Sequence, residues 1–422
     1  MKLSSRNKSF TLPEYSLTGD ILSFLTCNLQ YRYQNMGALP PSKPVQLWFG
    51  EFIHGIMEEA YLHYEEGNTN FPWDWKKDIR PLEEIIDERL QVRGLYPPED
   101  YFCTYKEGSD VKSYCKDTNH PHKLLYSIRA ESAINVIGPY LFPLVSNAEV
   151  LLKGFRDMPN YSEGHSRSKF YSVNGIIDVL SSLKVDDDWD NPSNKIVEFL
   201  SKNDEFMSNL KSLEGDEYEI IIDYKGMKRP ASDNKFWQRH DWQIQTYAWL
   251  RSMQEDSKEV IGGIVFYLNE LEPSEMDIEL IQEDIINGTT DVTGYPEDEE
   301  KILNWDPSRK FPKLSDEFKL DRCVRVVPIN DDITKEALSE FDEVVSNIEE
   351  CTINEMEGRV IRDSWMGNGD KRTCNGCDFK TFCSKYEDED FTVPWDNIFI
   401  CWKVYSDNFF NKILIQNNNI IN

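Results

Sequence analysis

The sequence contains no run of eighteen apolar residues, so it has no stretch that reads as a membrane-spanning helix and no membrane partner is expected. Its first residues, "MKLSSRNKSFTLPEY", lack the apolar core of a secretory signal. An intracellular protein is expected, cytoplasmic or nucleoid-associated if the source is prokaryotic. No internal repeat and no Walker A motif is present, so the chain carries no P-loop motor. Basic residues are few: 46 Lys and Arg stand against 75 Asp and Glu, a formal net charge of −29. Taken alone, that balance argues against binding nucleic acid. The nine cysteines are odd in number and scattered over 422 residues, which does not make a secreted disulfide framework. Reduced thiols, some of them holding a metal, fit better.

An aromatic content of 13% and ordinary apolar content describe a folded chain, one large domain with insertions or two domains. Acid is concentrated in "VDDDWDNPSN" (185–194), in residues 268–292 and in "YPEDEE" (295–300). Basic residues collect elsewhere, at Lys225, Lys228, Arg229, Lys235 and Arg239, and again at Lys371, Arg372, Lys380 and Lys385. These groups read either as solvated surface or as a basic channel in an acidic body.

Residues 15–65 have helical periodicity, with "TGDILSFLTCNLQYRY" after a Thr cap and "PVQLWFGEFIHGIMEEAYLHYEEG" stopped by Gly67. "IRPLEEIIDERLQVRGL" and "KLLYSIRAESAINVIGPYLFPLV" add helices. The pattern then changes to short Ile- and Val-rich strands: "AEVLLKGF", "YSVNGIIDVL", "EIIIDYKG" and "GGIVFYLN". The helix "NKFWQRHDWQIQTYAWLRSM" follows the third strand, and "TKEALSEFDEVVSNIEECTI" leads to a cysteine-rich end. These elements predict an α/β core with a helical cap. The expected divisions are a helical region (1–145), a core (146–310) with an acidic insert (183–216), a helical region with cysteines (311–390) and a tail (391–422).

Two strands carry the chemistry. "GIIDVL" (175–180) and "EIIIDYKG" (219–226) each place a carboxylate after an apolar run. Alternate strand residues share a face, so Asp223 and Lys225 project together. If the strands are neighbours, joined as a hairpin with a long insert, Asp178 sits beside Asp223. Two such carboxylates repel unless a cation lies between them, and Mg²⁺ suits all-oxygen ligands. Lys225 can then orient an attacking water or offset charge developing on a phosphate. The plainer reading is a surface ion pair at a strand end. His54, in "FGEFIHG", is either a structural helix histidine or the nitrogen of a mixed site that Mn²⁺ also accepts. Gln243 and Tyr247 share a helix face, either as ordinary packing or as contacts to phosphate and base.

"CNGCDFKTFC" sets Cys374, Cys377 and Cys383 in a C-x2-C-x5-C pattern. Three thiols this close call for a metal and a fourth ligand. Cys27 is the candidate, with Cys103, Cys115, Cys323, Cys351 and Cys401 as competitors. Zinc and an iron–sulfur cluster both accept four thiolates, and three cysteines with one distant partner favour [4Fe–4S] over Zn²⁺.

The ordered set of Cys27, His54, Asp178, "DYK" (223–225), Gln243/Tyr247 and the three clustered cysteines resembles the PD-(D/E)XK nucleases of the RecB type with an iron–sulfur staple. It is similar to the AddB nuclease domain, the CRISPR-adaptation nucleases and exonuclease V. The resemblance spans about residues 20–385 and implies a restriction-endonuclease-like core, a mixed central sheet flanked by helices. It further implies that His54, Asp178, Asp223 and the Tyr224 carbonyl hold Mg²⁺ or Mn²⁺. Lys225 would assist catalysis, Gln243 and Tyr247 would contact DNA, and Cys27, Cys374, Cys377 and Cys383 would hold a structural [4Fe–4S] cluster. The expected activity is metal-dependent DNA hydrolysis, as an exonuclease on single strands or ends, with a helicase as a further partner. The insert between the two aspartates departs from the pattern, being far longer than a hairpin needs. Two competing readings are a non-catalytic module that binds nucleic acid or scaffolds a helicase, and an iron–sulfur or zinc interaction protein with a chance Asp-x-Lys.

Overall fold

The computed structural model describes residues 12–37, 39, 45–104, 121–184, 189 and 192–383. Lys385, Cys115, Cys401, the tail and most of the 185–194 acidic run lie outside the described residues.

Six strands form one mixed sheet: β1 (Glu14–Ser16), β2 (Val145–Asp157), β3 (Phe170–Lys184), β4 (Glu217–Lys225), β5 (Val260–Tyr267) and β6 (Val324–Pro328). The order is β1-β3-β4-β5-β6, with β2 also paired to β3. The four expected strands are β2 to β5. β1 and β6 fall in regions read as helical: three residues are too few to show a period, and "VRVVP" is a short run between two helices. The sheet, flanked by helices, is consistent with a restriction-endonuclease-like fold.

The helices around the sheet include α1 (Leu22–Thr26), α2 (Asn28–Tyr31), α3 (Val45–Glu65), α4 (Arg80–Val92), α5 (Lys195–Ser201), α6 (Asp204–Ser212), α7 (Lys235–Ser252), α8 (Glu275–Asn287), α9 (Asp331–Met356) and α10 (Lys371–Asn375). Extended backbone at Cys27 (φ −165°, ψ 115°) divides α1 from α2, where sequence periodicity ran on unbroken. The insert between β3 and β4 folds as α5 and α6. Asn194 and Asn203 cap them, and Ile196, Leu200 and Phe206 are buried in the main core. α7 makes the crossover that the parallel β4–β5 pair requires.

The sheet has a core on each face. β4 feeds both, Ile220, Ile222 and Tyr224 toward α3 and Ile221 toward α7 and α9, which is why its sequence is continuously apolar. Its burial on both faces supplies much of the hydrophobic stabilisation near the site.

β3 is the organising strand. β2 pairs along its length, so β1 and β4 must share its other edge. β1 covers Ser172–Asn174 and β4 covers Val179–Lys184. Residues 175–178 lie between the two strand ends, and there the edge opens. The side-chain alternation of β3 also switches at this place. Tyr171, Val173 and Ile177 face the α7 core, but Val179 and Leu183 face the α3 core. Opposite the switch, Glu149 of β2 has φ 50°, a left-handed conformation costing a non-glycine residue about 1–2 kcal/mol.

Gly175 sits at the opening because α7 comes very close. A Cβ there would lie 2.5 Å from the Tyr247 ring. Gly175→Ala should destabilise the protein by about 1–3 kcal/mol through overpacking, measured as a lower urea midpoint. An unchanged midpoint would show that α7 can retreat freely.

Candidate active site

Asp178 lies at the switch in β3. Its Oδ2 accepts the Tyr224 backbone N–H at 2.8 Å and lies 3.2 Å from His54 Nδ1. The β3–β4 ladder ends with Val179 against Ile222, so the Tyr224 N–H meets a side chain just beyond it. Continuing the register by one pair sets Asp178 opposite Asp223. The expected neighbouring of the two strands is therefore what the structure shows.

Asp223 is 3% exposed. Its Oδ1 accepts from Gln243 Nε2 at 2.9 Å. Lys225 Nζ forms an ion pair with Asp223 Oδ2 at 2.6 Å and donates to Gln243 Oε1 at 2.8 Å. Gln243 thus joins the acid to the lysine and spends both ends of its amide doing so. Tyr247, one turn on, reaches Gln243 only weakly at 3.4 Å.

α3 brings His54. Its apolar stripe, Trp48, Phe52, Ile53, Ile56 and Ala60, is buried. Glu51, His54 and Glu58, at helical spacing, line a cleft of about 780 Å³ with Asp178, Asp223 and Lys225. One residue of this cleft escaped the sequence reading. Glu149 offers a carboxylate oxygen that lies, with one atom each of His54 and Asp178, within a 4.8 Å grouping able to hold a metal ion. An antiparallel register between "AEVLLKGF" and "GIIDVL" would have found it, but the intervening loop hides that register.

The charges interact strongly. Burial would lower the His54 pKa, but the charge and hydrogen bond of Asp178, helped by Asp223, lift it to about 9. Burial opposes ionisation of Asp178, yet His54 holds its carboxyl below the usual range. Asp223 is pushed up by burial against the pull of Lys225, with the Asp178 charge adding to the rise. At Glu149, crowding by packed atoms and then the charges of Asp178 and Glu58 raise the pKa to about 7. Carboxylates set this close resist full ionisation, and a divalent cation relieves that. The buried Asp223 Oδ2 atom, which meets the Lys225 ammonium and no other donor among the described residues, fits the same need.

A second constellation forms at α1, α2 and α10. Cys27, Cys374, Cys377 and Cys383 line one small cavity with Leu29, Gln30, Asn368 and Phe379. Burial first, and the nearby thiols in addition, raise the pKa of Cys374 and Cys377. The Phe379 N–H donates to Cys377 Sγ at 3.4 Å. Of the competitors for the fourth position, Cys103, Cys323 and Cys351 do not line this cavity.

Fold and site define a mixed α/β protein with a cleft of carboxylates, histidine and lysine able to take a divalent cation. A family model for the PD-(D/E)XK nuclease superfamily matches residues 210–384. The match includes Asp223, Lys225, Gln243, Tyr247 and the three clustered cysteines, and leaves Cys27, His54, Glu149 and Asp178 outside it. It supports a nuclease, a hydrolase acting on nucleic acid in a superfamily that typically uses a divalent metal. No curated protein matches the chain. No helix among the described residues is long and apolar enough to cross a membrane.

His240, one turn before Gln243 on α7, lies 3.0 Å from the Tyr267 hydroxyl. Burial, then the charges of Lys225, Arg325 and Arg239, lower its pKa to about 3. Below an unfolded value of about 6.5, the unfolded chain takes up a proton that the folded chain refuses, so stability falls as pH drops through this window. Between pH 7 and 5 the wild type should lose about 2 kcal/mol more than His240→Gln, read by urea denaturation. Equal losses would show that His240 protonates freely in the fold.

Proposed function

We propose that the protein is a Mg²⁺- or Mn²⁺-dependent DNA nuclease, acting on single strands or ends, with a structural [4Fe–4S] cluster. The observation that carries this reading is the gathering of His54, Asp178, Asp223 and Lys225 from α3, β3 and β4 into one cleft.

His54, Asp178, Asp223 and the Tyr224 carbonyl are the residues proposed to hold the divalent cation, with Glu149 beside them. A bound cation supplies Lewis-acid chemistry and lowers the pKa of water. The chain's own groups do the rest. The Tyr224 N–H fixes Asp178 in place, and Gln243 holds Asp223 and Lys225 as one unit. Lys225 presents a positive charge where an attacking water is oriented and where charge grows on the phosphate. Gln243 contributes by positioning, since its amide is engaged within the site. Tyr247 lines the cleft, where its hydroxyl accepts weakly from Gln243, and is the residue proposed to contact DNA.

Cys27, Cys374, Cys377 and Cys383 are proposed to hold the cluster. Four thiols around one cavity, drawn from both ends of the described chain, suit a staple that closes a long loop. Purified protein should be brown and contain iron and acid-labile sulfide in equal amounts. A colourless protein with one zinc per chain would replace the cluster with a zinc site.

With Mg²⁺ or Mn²⁺ the protein should degrade DNA, and Lys225→Ala should slow single-turnover cutting by about 10²–10³-fold while remaining folded by circular dichroism. Undiminished cutting would remove Lys225 from the mechanism. Tight DNA binding without cleavage under either metal would instead describe a non-catalytic binding or helicase-scaffolding module.

A further inference from the structure

The catalytic cleft opens on two sides whose charges differ. On the α3–α4 side stand Glu51, Glu58 and Glu149. The arginines there are engaged, Arg93 with Glu51 at 2.8 Å and Arg89 with Glu59 at 2.5 Å. With both arginines committed to carboxylates, that side offers a phosphate chain no uncommitted arginine among the described residues.

On the other side lies a second cavity of about 360 Å³, between α1–α2 and the first turns of α7. It shares Lys225, Gln243 and Thr18 with the catalytic cleft, so the two spaces meet at the catalytic lysine. Among the described residues no carboxylate lines it. Hydroxyl and amide groups do, from Ser23, Thr26, Gln30 and Gln34, the types that contact sugar and phosphate.

Two further residues give the cavity a direction. Arg239 is half-buried, and among the described residues no carboxylate forms an ion pair with it. Its guanidinium instead lies 5.4 Å from the centre of the Phe236 ring. A partly desolvated cation without a counter-charge is costly, and an anion in the cavity would offset it. Phe236, on the first turn of α7, is 45% exposed. An exposed ring beside an uncompensated arginine is the pairing that takes a base on one and a phosphate on the other. His240, neutral in the fold, lines the same wall without adding charge.

We propose that this cavity holds the nucleotides of a single strand immediately beside the scissile phosphate, Phe236 stacking on a base and Arg239 pairing with a phosphate. The inference rests on the nuclease reading and names where its substrate lies. The uncommitted Arg239 lies on this side of the lysine, which directs the strand here.

Binding of fluorescein-labelled dT12 and U12 by fluorescence anisotropy in Ca²⁺ buffer, across a range of salt concentrations, tests it without requiring cleavage. Arg239→Ala and Phe236→Ala should each weaken binding about tenfold; for Phe236 this is the low end of base–aromatic stacking. Arg239→Ala should also reduce the slope of log affinity against log salt by about 0.7, the effect of one lost phosphate contact on a single strand. Phe236→Ala should leave that slope unchanged, and Phe236→Trp and Arg239→Lys should retain most of the affinity. Affinity and slope within twofold of wild type in both alanine variants would overturn the proposal, as would no binding of either oligonucleotide by the wild type. Strong binding of dT12 with no cutting in Mg²⁺ or Mn²⁺ would leave the groove in place and overturn the nuclease reading alone.

Discussion

The site depends on how β3 shares one edge between two strands. β1 takes the beginning of that edge and β4 takes the end. The gap between them cannot be closed by backbone hydrogen bonds, so side chains and, at Tyr224, a side-chain carboxylate take over. The same stretch switches its alternation and faces a left-handed Glu149. A strand that changes face beside an opening turns polar groups into a cleft while its neighbours remain in two separate cores. Without that arrangement, Asp178 and Asp223 would be two buried carboxylates on an ordinary sheet, and their repulsion would be a cost with no return.

Electrostatics follow from this geometry. The two aspartates cannot both ionise cheaply at this separation, and the protein divides the strain by giving His54 to Asp178 and Lys225 to Asp223. Gln243 then links the second pair through one amide. The −29 net charge, which on its own spoke against a polyanion ligand, is not spread evenly around the cleft. Carboxylates stand on one side, and Lys225 and Arg239 face a wall of hydroxyls and amides on the other. Net charge describes the whole surface, whereas recognition is decided by the few groups that line one path.

Much of the fold and part of the site could be read from the sequence. The four main strands show because their Ile and Val runs are long enough to display a pattern, and α3 and α7 show through their helical periods. Asp178, Asp223 and Lys225 were legible because each ends or follows such a run. β1 and β6 were not, since runs of three and five residues are too short to stand out in stretches read as helical. Glu149 was missed for a related reason: register across β2 and β3 is set by their connecting loop, and one residue of slip would point it away from the cleft. Gln243 was visible as a helix-face residue, but its engagement with Asp223 and Lys225 depends on where α7 lands on the sheet. Cys27 was the candidate fourth thiol against five competitors, and the extended backbone that splits α1 from α2 places it beside Cys374, Cys377 and Cys383.

The central claim is that the opening in β3 makes one cation site of its carboxylates and His54. Calorimetric titration of Mn²⁺ into the wild type, Asp178→Asn, Asp223→Asn and His54→Ala tests it most directly. The account predicts one strong site in the wild type and at least a tenfold loss of affinity in each variant, with folding retained. Wild-type affinity in Asp178→Asn and Asp223→Asn would contradict it.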